Sequence, residues 1–474
     1  MDAVHGLYYA LMHAVFAVSA AFGPAGGAGG GIGTGADLWA LRLPSVAATA
    51  LAAAGVAAVA HRLAGDRSGD DEAGGVDGDG DGDGDGRGRD RGRDPAGRGG
   101  HRDRVALLAG LGYAALPPVQ MYAQEGRSYA LVAAAVVWAT YLMLRERWVA
   151  YAVVLLLGCW LHEFAVLALP AHAFAARRSR GWRLAAGAVV AGLLPLALVS
   201  ARQAQQQLGW LGRPGWQDWA AYGVVAAVAL LLARRGVARE LLRVALPLTL
   251  LPPGVLLTVS LVHPWYVDRY VLYSLAGLAL LAGARLAAVR GWVPWLLVGV
   301  LLVPLGFWSA WLRTPESRKD DVPAVAAAVH ELARPGDAVL FLPSRRREWL
   351  LSSPEVYGSL RDLALSRTPA ASRSLQGVER SPEGIQEALL DPAVGRVIVL
   401  LDPAGEPVDG YPAEAVKRQT LVSAFDLCSV TEVRGARVAL FARPGTCGEQ
   451  AARSGAAAVG PVAAGEPFLR FPSR

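Results

Sequence analysis

The chain has 474 residues, of which 53% are hydrophobic and only 18% are charged. These proportions exclude an ordinary soluble globular protein and are typical of a protein that crosses a membrane several times. The formal net charge of +6 does not indicate a nucleic-acid-binding protein, because the arginines stand at the ends of apolar runs rather than along one soluble face.

The start of the chain, residues 1–36, is predicted to be an outer loop. Residues 7–23 are moderately apolar but carry His13, which favours a short helix at the membrane interface, with a membrane span as the alternative. A glycine-rich loop follows, and the sequence Leu-Arg-Leu-Pro-Ser at 41–45 then opens a span that ends at Ala60 and is followed by His61 and Arg62.

A low-complexity segment covers residues 65–104 and alternates Asp with Gly from 77 to 85. The alternation resembles calcium-binding loops, but it lacks both the terminal bidentate Glu and the hydrophobic positions that such loops require. We therefore predict a disordered, charged linker on the cytoplasmic side of the membrane.

A polar stretch at residues 122–129 separates two apolar runs, 105–121 and 130–144. Each run is about long enough to cross a bilayer, which takes roughly 20 helical residues. Glu125 and Arg127 are therefore an acid and a base where two spans meet water, and such groups are costly in a simple anchor. The stretch indicates a functional site.

Ten spans are predicted in all, because residues 148–175 form two short spans and five more follow near 183–201, 217–233, 241–261, 269–288 and 292–312. Arginine clusters mark alternate loops, and the positive-inside rule assigns those loops to the cytoplasm. The clusters are Arg62 with the linker, Arg145 and Arg147, Arg177 to Arg180, Arg234 and Arg235, and Arg285 and Arg290. The other loops and both chain ends are then expected outside.

The membrane domain is predicted to cover residues 1–312, and a soluble α/β domain to cover residues 313–445 on the outer side. The soluble domain alternates predicted helices (324–332, 384–390, 416–424) with predicted strands (337–342, 396–401, 438–442), which favours a small, mostly parallel sheet. Cys428 and Cys447 could form a disulfide if this region lies outside the cell. Residues 446–474 are predicted to be a loose tail.

The predicted outer loops gather side chains suited to binding a lipid phosphate and a sugar. Carboxylates could accept a proton from a hydroxyl group, arginines and histidines could hold a phosphate, and tyrosines offer ring faces and hydroxyls. The residues are Asp2, His5, Tyr8, Tyr9, Gln124, Glu125, Arg127, Tyr129, His162, Glu163, His263, Asp268, Arg269 and Tyr270.

Simpler roles stay open for several of them: His162 and Glu163 could be a local hydrogen-bonded pair, Asp268 and Arg269 an ion pair at a helix start, and Tyr8 and Tyr9 interfacial anchors.

The order of these motifs resembles a known family. Asp2-x-x-His5-Gly-Leu-Tyr8-Tyr9, then Leu-Arg-Leu-Pro-Ser, then Tyr-Ala-Gln124-Glu125-Gly-Arg127-Ser-Tyr129, resembles polytopic GT-C class glycosyltransferases over residues 1 to about 340. Within that class the chain is similar to bacterial relatives of protein O-mannosyltransferases and of lipid A aminoarabinose transferases. Asp268-Arg269-Tyr270 at a span start also fits.

The resemblance implies transfer of a sugar, mannose-like, from a polyprenyl-phosphate carrier to a cell-envelope glycan, lipid or protein at the outer face of the plasma membrane. An acidic residue of the first outer loop would act as the base or bind the acceptor, and basic residues with a second acid would hold the donor phosphate. By position, Asp2 and His5 match the first motif, and Glu125 and Arg127, with Gln124, match the second. A divalent cation is possible, with Asp2, His5 and Glu125 as ligands, but no spacing requires it.

The chain departs from the family at its start. The family has an Asp-Glu pair soon after a first span, and neither precedes Asp2 here, while His-Pro-Pro is reduced to His-Gly. We expect that the reading frame starts late and that a span is missing, which would leave this chain inactive; the alternative is an internal start that still inserts.

Two other classes of function are compatible with the composition. A transporter or flippase would favour charges buried in mid-span and inverted repeats, whereas here the charges gather in loops. A non-catalytic scaffold that displays the soluble domain is the other alternative.

Overall fold

The computed structural model describes residues 6–22, 35–64, 95–208, 212–234, 236–289, 291–317, 320–372, 374–406 and 410–447. The chain divides into two compact units, a helical unit that ends at Ala310 and a unit that begins at Trp311 and contains the soluble α/β fold. The predicted Asp2 and His5 and most of the charged linker, residues 65–94, lie outside the described residues.

The helical unit is a bundle of apolar helices that confirms the predicted class, a polytopic α-helical membrane protein. Five helices are long and apolar enough to cross a membrane, or six if the bent pair α3 and α4 counts as one span, and five further apolar helices of the unit are shorter. Each of the ten predicted spans contains helix. The helices are α1 Gly6–Phe22, α2 Gly35–Leu63, α3 Pro95–Ala114, α4 Pro117–Ala123, α5 Tyr129–Leu144, α6 Trp148–Leu161, α7 Ala168–Ala176, α8 Arg180–Leu208, α9 Trp216–Leu232, α10 Arg239–Val259, α11 Leu275–Ala288 and α12 Val293–Trp311, with 3₁₀ turns at Glu163–Leu167 and Asp268–Ser274.

One end of the bundle is held together by arginines that bond to the ends of neighbouring helices. The last carbonyls of a helix have no partner within it and carry a partial negative charge, so a guanidinium group is a good partner for them. The bonds join Arg62 Nε to Leu144 O (3.1 Å), Arg102 Nε to Ala64 O (3.1 Å), Arg104 Nη2 to Val289 O (2.8 Å) and Arg285 Nε to Leu232 O (2.8 Å).

These contacts gather several of the arginine-bearing loops at one end, called here the arginine end. The loop at residues 124–128 contacts Ser45, which is 17 residues before Arg62 on α2, or about 26 Å along the helix axis at 1.5 Å per residue. The loop at residues 124–128 and the arginine end, which the sequence assigned to different sides of the membrane, therefore lie at opposite ends of the bundle.

One sequence prediction about the helical unit is wrong in its boundary, and a second predicted span is bent. Residues 95–104, assigned to the linker, are the first turns of α3, because Arg102 and Arg104 bond to neighbouring helix ends and so favour helix beyond the apolar run. The run at 105–121, predicted as one span, bends by 63° after Ala114. The residue before a proline avoids the helical conformation, and Leu116 precedes two prolines in sequence.

The soluble unit is an α/β fold around a five-stranded sheet of order β2-β1-β5-β7-β6, with β3 and β4 paired separately. The strands are β1 Ala338–Leu342, β2 Arg361–Asp362, β3 Leu365–Arg367, β4 Val378–Glu379, β5 Arg396–Leu401, β6 Asp426–Val433 and β7 Ala436–Ala442. The helices are α13 Val322–Leu332, α14 Pro354–Tyr357, α15 Pro369–Ser372, α16 Pro382–Leu390 and α17 Pro412–Ala424, with 3₁₀ turns at Pro315–Ser317 and Ser344–Leu351.

The expected mostly parallel sheet is wrong in detail. β1 is parallel to both β2 and β5, but β7 is antiparallel to β5 and to β6. The cause is the hairpin between β6 and β7, which turns at Gly435 with φ of 81° and places a strand where the sequence had indicated none. Cys428 on β6 and Cys447 form a disulfide, the pairing that the sequence allowed.

Buried charges lie beside the carboxyl end of β1. Lys417 Nζ donates to Phe341 O (3.1 Å), Glu379 Oε1 (2.7 Å) and Glu414 Oε1 (3.1 Å). The Lys417 side chain is completely buried, and each of its three protons has an acceptor, as a buried ammonium group requires. These bonds fasten α17 to the sheet.

Candidate functional site

The candidate site lies at the end of the bundle opposite the arginine end and begins with the short loop between α4 and α5. α4 ends at Ala123 and α5 begins at Tyr129, with Gln124 and Ser128 as the helix caps, so residues 125–127 lie between the two helices. Glu125 is half-buried in this loop, and Arg127 is exposed. The loop thus presents a carboxylate and a guanidinium group on either side of Gly126.

The second part of the site is the start of the segment Asp268–Ala288. Arg269 Nε donates to the Tyr129 hydroxyl oxygen at 3.1 Å, and the Arg269 backbone N–H donates to Asp268 Oδ1 at 2.8 Å. The Tyr122 hydroxyl lies 3.5 Å from the same carboxylate oxygen. These contacts bring α4, α5 and the 3₁₀ turn Asp268–Ser274 to one place.

A cluster of aromatic rings packs against Arg269; we call it the aromatic cluster. The ring centroid of Tyr129 lies 5.6 Å from that of Tyr122 and 6.0 Å from that of Tyr270. Tyr270 also lies 4.4 Å from His162 and stacks on Phe164 at 5.5 Å. The Arg269 guanidinium carbon is 5.7 Å from the centroids of both Tyr129 and Tyr270, within the range of a cation–π contact.

The electrostatics of Glu125 suit a general base. Burial raises the pKa of Glu125 above its usual value, Arg127 and Arg269 lower it, and Asp268 raises it. A carboxylate whose pKa is raised accepts a proton more readily than an ordinary carboxylate. The two flanking arginines keep the ionised form accessible.

Several sequence-predicted residues meet in this site. The residues that meet there are Glu125, Arg127, Tyr129, His162, Arg269 and Tyr270. The predicted Tyr8 is buried and lies within electrostatic range of Arg127. His162 is buried in the aromatic cluster, so it does more than pair locally with its neighbour Glu163.

Three predicted residues lie at the margin of the site or turn away from it. The Gln124 side-chain amide donates back to Gln120 O at 3.2 Å. Tyr9 is 47% exposed, in contrast to the buried Tyr8. His263 is exposed and stacks on Trp265 at 5.1 Å.

Sequence reasoning missed Phe164 and Trp265, which extend the aromatic cluster through a ring contact of 6.3 Å. Their position beside His162 and close to Asp268 was the available signal. Among the described residues, no group of three or more His, Cys, Asp or Glu side chains is arranged to hold a metal ion. Because Asp2 and His5 lie outside those residues, the predicted cation ligands have no geometry to compare.

No family model matches the chain, and no curated protein matches it. Among solved structures, the chain is similar to the crystal structure of ArnT from Cupriavidus metallidurans bound to undecaprenyl phosphate. The two chains are 15% identical, with a TM-score of 0.40, and the match covers 92% of this chain and 88% of that one.

Proposed function

We propose that this chain is an integral-membrane glycosyltransferase that moves a sugar from a polyprenyl-phosphate carrier to an acceptor at the outer face of the plasma membrane. The observation that carries the proposal is the half-buried Glu125 within electrostatic reach of two arginines and a second carboxylate at one end of a membrane bundle. A carboxylate that can take a proton beside guanidinium groups that can hold a phosphate is the minimum that such a transfer needs.

In the proposed reaction the acceptor hydroxyl oxygen attacks the anomeric carbon of the sugar in a single displacement with inversion. Glu125 takes the hydroxyl proton, the bond between the anomeric carbon and the phosphate oxygen breaks, and the lipid phosphate leaves with its second negative charge. Arg127 and Arg269 hold that phosphate, since guanidinium groups match phosphate oxygens in pairs. The Tyr129 hydroxyl orients the Arg269 guanidinium group, and Asp268 Oδ1 accepts from the Arg269 backbone N–H.

The membrane setting selects the class of donor. Nucleotide sugars are made in the cytoplasm, so a site at the outer face needs a donor carried in the membrane. The positive-inside rule puts the arginine end in the cytoplasm, which puts Glu125 outside. The disulfide between Cys428 and Cys447 supports the same orientation, because disulfides persist in oxidising compartments.

By the family resemblance, Asp2 and His5 would contribute to acceptor or donor binding, and the sugar would be mannose-like. The acceptor would be a glycan, lipid or protein of the cell envelope. These assignments rest on the resemblance alone.

The test is a transfer assay in proteoliposomes with radiolabelled mannosyl-phosphoryl-undecaprenol and a cell-envelope extract as acceptor. Glu125→Gln should lower the transfer rate by about 100-fold or more, the usual contribution of a general base. Arg127→Ala should chiefly weaken donor binding.

Matched controls lie at the arginine end. Glu240→Gln in the first turn of α10 and Arg147→Ala at the start of α6 are both exposed and should transfer at the wild-type rate. Wild-type activity in Glu125→Gln would remove the proposed base, whereas no transfer by the wild-type chain would favour a scaffold or a transporter instead.

A further inference from the structure

We infer that Ser45 and Leu41, one turn apart on α2, are positioning residues that hold the loop of residues 124–128 in the geometry that its acid and base require. The inference rests on the proposed function for its catalytic meaning, but the support of the loop is a separate physical statement.

The first contact is a hydrogen bond shared across the loop. Ser45 Oγ donates to Glu125 O at 2.7 Å and lies 3.2 Å from Arg127 O, and the Ser45 side chain is fully buried. A hydroxyl group has one proton, so the shorter contact is the main bond and the longer one a second, weaker branch. Both acceptors are backbone carbonyl oxygens of loop residues that lie between α4 and α5.

The second contact is a close approach between Leu41 and Gly126. A Cβ atom added to Gly126 would lie 2.5 Å from Leu41 Cδ1 and 2.6 Å from Leu41 Cγ, distances that side chains do not tolerate. A larger residue at this position would force the Leu41 side chain or the loop backbone to move. Residues four apart on a helix share one face, so Leu41 and Ser45 meet the loop together.

The consequence for the site follows from the order of residues in the loop. Glu125 and Arg127 stand on either side of Gly126, so a rotation of this short backbone would move the proposed base and the proposed phosphate ligand at once. A misplacement of about 1 Å in a reacting group can lower a rate by about 100-fold. By holding the loop backbone, α2 would thus fix the positions of both the Glu125 carboxylate and the Arg127 guanidinium group.

The first experiment measures the loop itself and needs no transferase activity. In the variant Glu125→Cys, the rate of labelling by a membrane-impermeant maleimide reports how often the loop opens. The background is low because Cys159 is buried and the other two cysteines are joined. Adding Ser45→Ala should speed labelling by about five- to tenfold, the effect of losing one typical hydrogen bond.

The control uses another hydroxyl on the same helix. Thr49 Oγ1 donates to Ser45 O at 2.9 Å within α2 and does not reach the loop. Thr49→Val should leave the labelling rate of Glu125→Cys unchanged. Equal labelling in the Ser45→Ala and Thr49→Val backgrounds would overturn the inference.

The second experiment uses the transfer assay with Glu125 intact. Gly126→Ala should lower kcat by about 100-fold with a smaller change in KM. The double variant with Leu41→Ala should recover much of that loss, because the added methyl group meets only the Leu41 side chain among its three nearest contacts. A loss that Leu41→Ala does not relieve would contradict the proposed contact.

The two experiments separate the two claims. If the wild-type chain shows no transfer while Ser45→Ala still speeds labelling, the loop support stands and the proposed function fails. If transfer depends on Glu125 but labelling does not respond to Ser45, the proposed function stands and this inference fails.

Discussion

The Tyr129 hydroxyl group offers a direct test of whether Arg269 holds the donor phosphate. Tyr129→Phe removes one oxygen atom and leaves the ring, which contacts Tyr122, Tyr270 and His162. The lost contact is the bond from Arg269 Nε to the Tyr129 oxygen at 3.1 Å. The cation–π contact with the ring, at 5.7 Å, should remain.

The magnitude follows from the type of bond. A hydrogen bond that involves a charged group contributes about 1.5 to 3 kcal/mol. If Arg269 must keep its present orientation to bind phosphate, the variant cannot lose more than that, which is at most about 150-fold in affinity. Because the backbone bond to Asp268 and the ring contacts still restrain Arg269, we expect a loss near the lower bound, about tenfold.

The assay is binding of undecaprenyl phosphate to the full chain in nanodiscs. Tyr141→Phe is the matched control, since Tyr141 lies on the same helix about three turns nearer the arginine end. Thermal unfolding of the two variants should be similar, so a difference in affinity would report the site rather than stability. If Tyr129→Phe binds the lipid as the wild type does while Arg269→Ala does not, the orienting role of the hydroxyl is wrong.

Three further predictions concern charge and compartment. The transfer rate should fall on acidification at a pH above the pKa of an ordinary glutamate, because protonated Glu125 cannot act as a base. In pH–rate profiles, Asp268→Asn should shift this fall to lower pH, and Arg127→Ala should shift it to higher pH. Lys417→Ala should destabilise the soluble unit by about 3 to 5 kcal/mol, measured by hydrogen exchange of β1 and β5, since the buried Glu414 loses its cation while the half-buried Glu379 keeps its ion pair with Arg347. Denatured protein from intact membranes should take up one maleimide–polymer label per chain without reductant and three after reduction; three labels in both conditions would contradict an outer location.

The sequence predicted the helical fold well because hydrophobic length and arginine position are local signals. The arginine-bearing loops around Arg62, Arg104 and Arg285 are joined at one end by bonds between helices, as their common sidedness predicted. The proline pair that follows Leu116 is a local signal for the bend after Ala114, but the continuous hydropathy of the run favoured one straight span instead.

The rest depended on contacts between distant residues. The strand β6 carries polar residues along its length and is fixed by pairing with β7, so local pattern could not indicate it. In the site, the bond between Ser45 and the Glu125 carbonyl joins residues 80 positions apart. The sequence identified which side chains carry chemistry, whereas the folded structure determined that Gln124 turns back on its own helix and that Arg269 leans on Tyr129.

The charges of the proposed site explain how the proton affinity of Glu125 could change during one turnover. Glu125 and Asp268 balance Arg127 and Arg269, so the empty site is close to neutral. A lipid-linked sugar phosphate adds one negative charge, and breaking the bond to the sugar adds a second. As the leaving phosphate draws on the two arginines, their lowering effect on the Glu125 pKa weakens, and the carboxyl group holds the proton that it has just taken from the acceptor more firmly. Release of the lipid phosphate then returns the arginines to Glu125 and favours loss of that proton to water. The same two arginines would thus couple departure of the phosphate to proton transfer, which is why removing either one should change both donor affinity and the pH dependence of the rate.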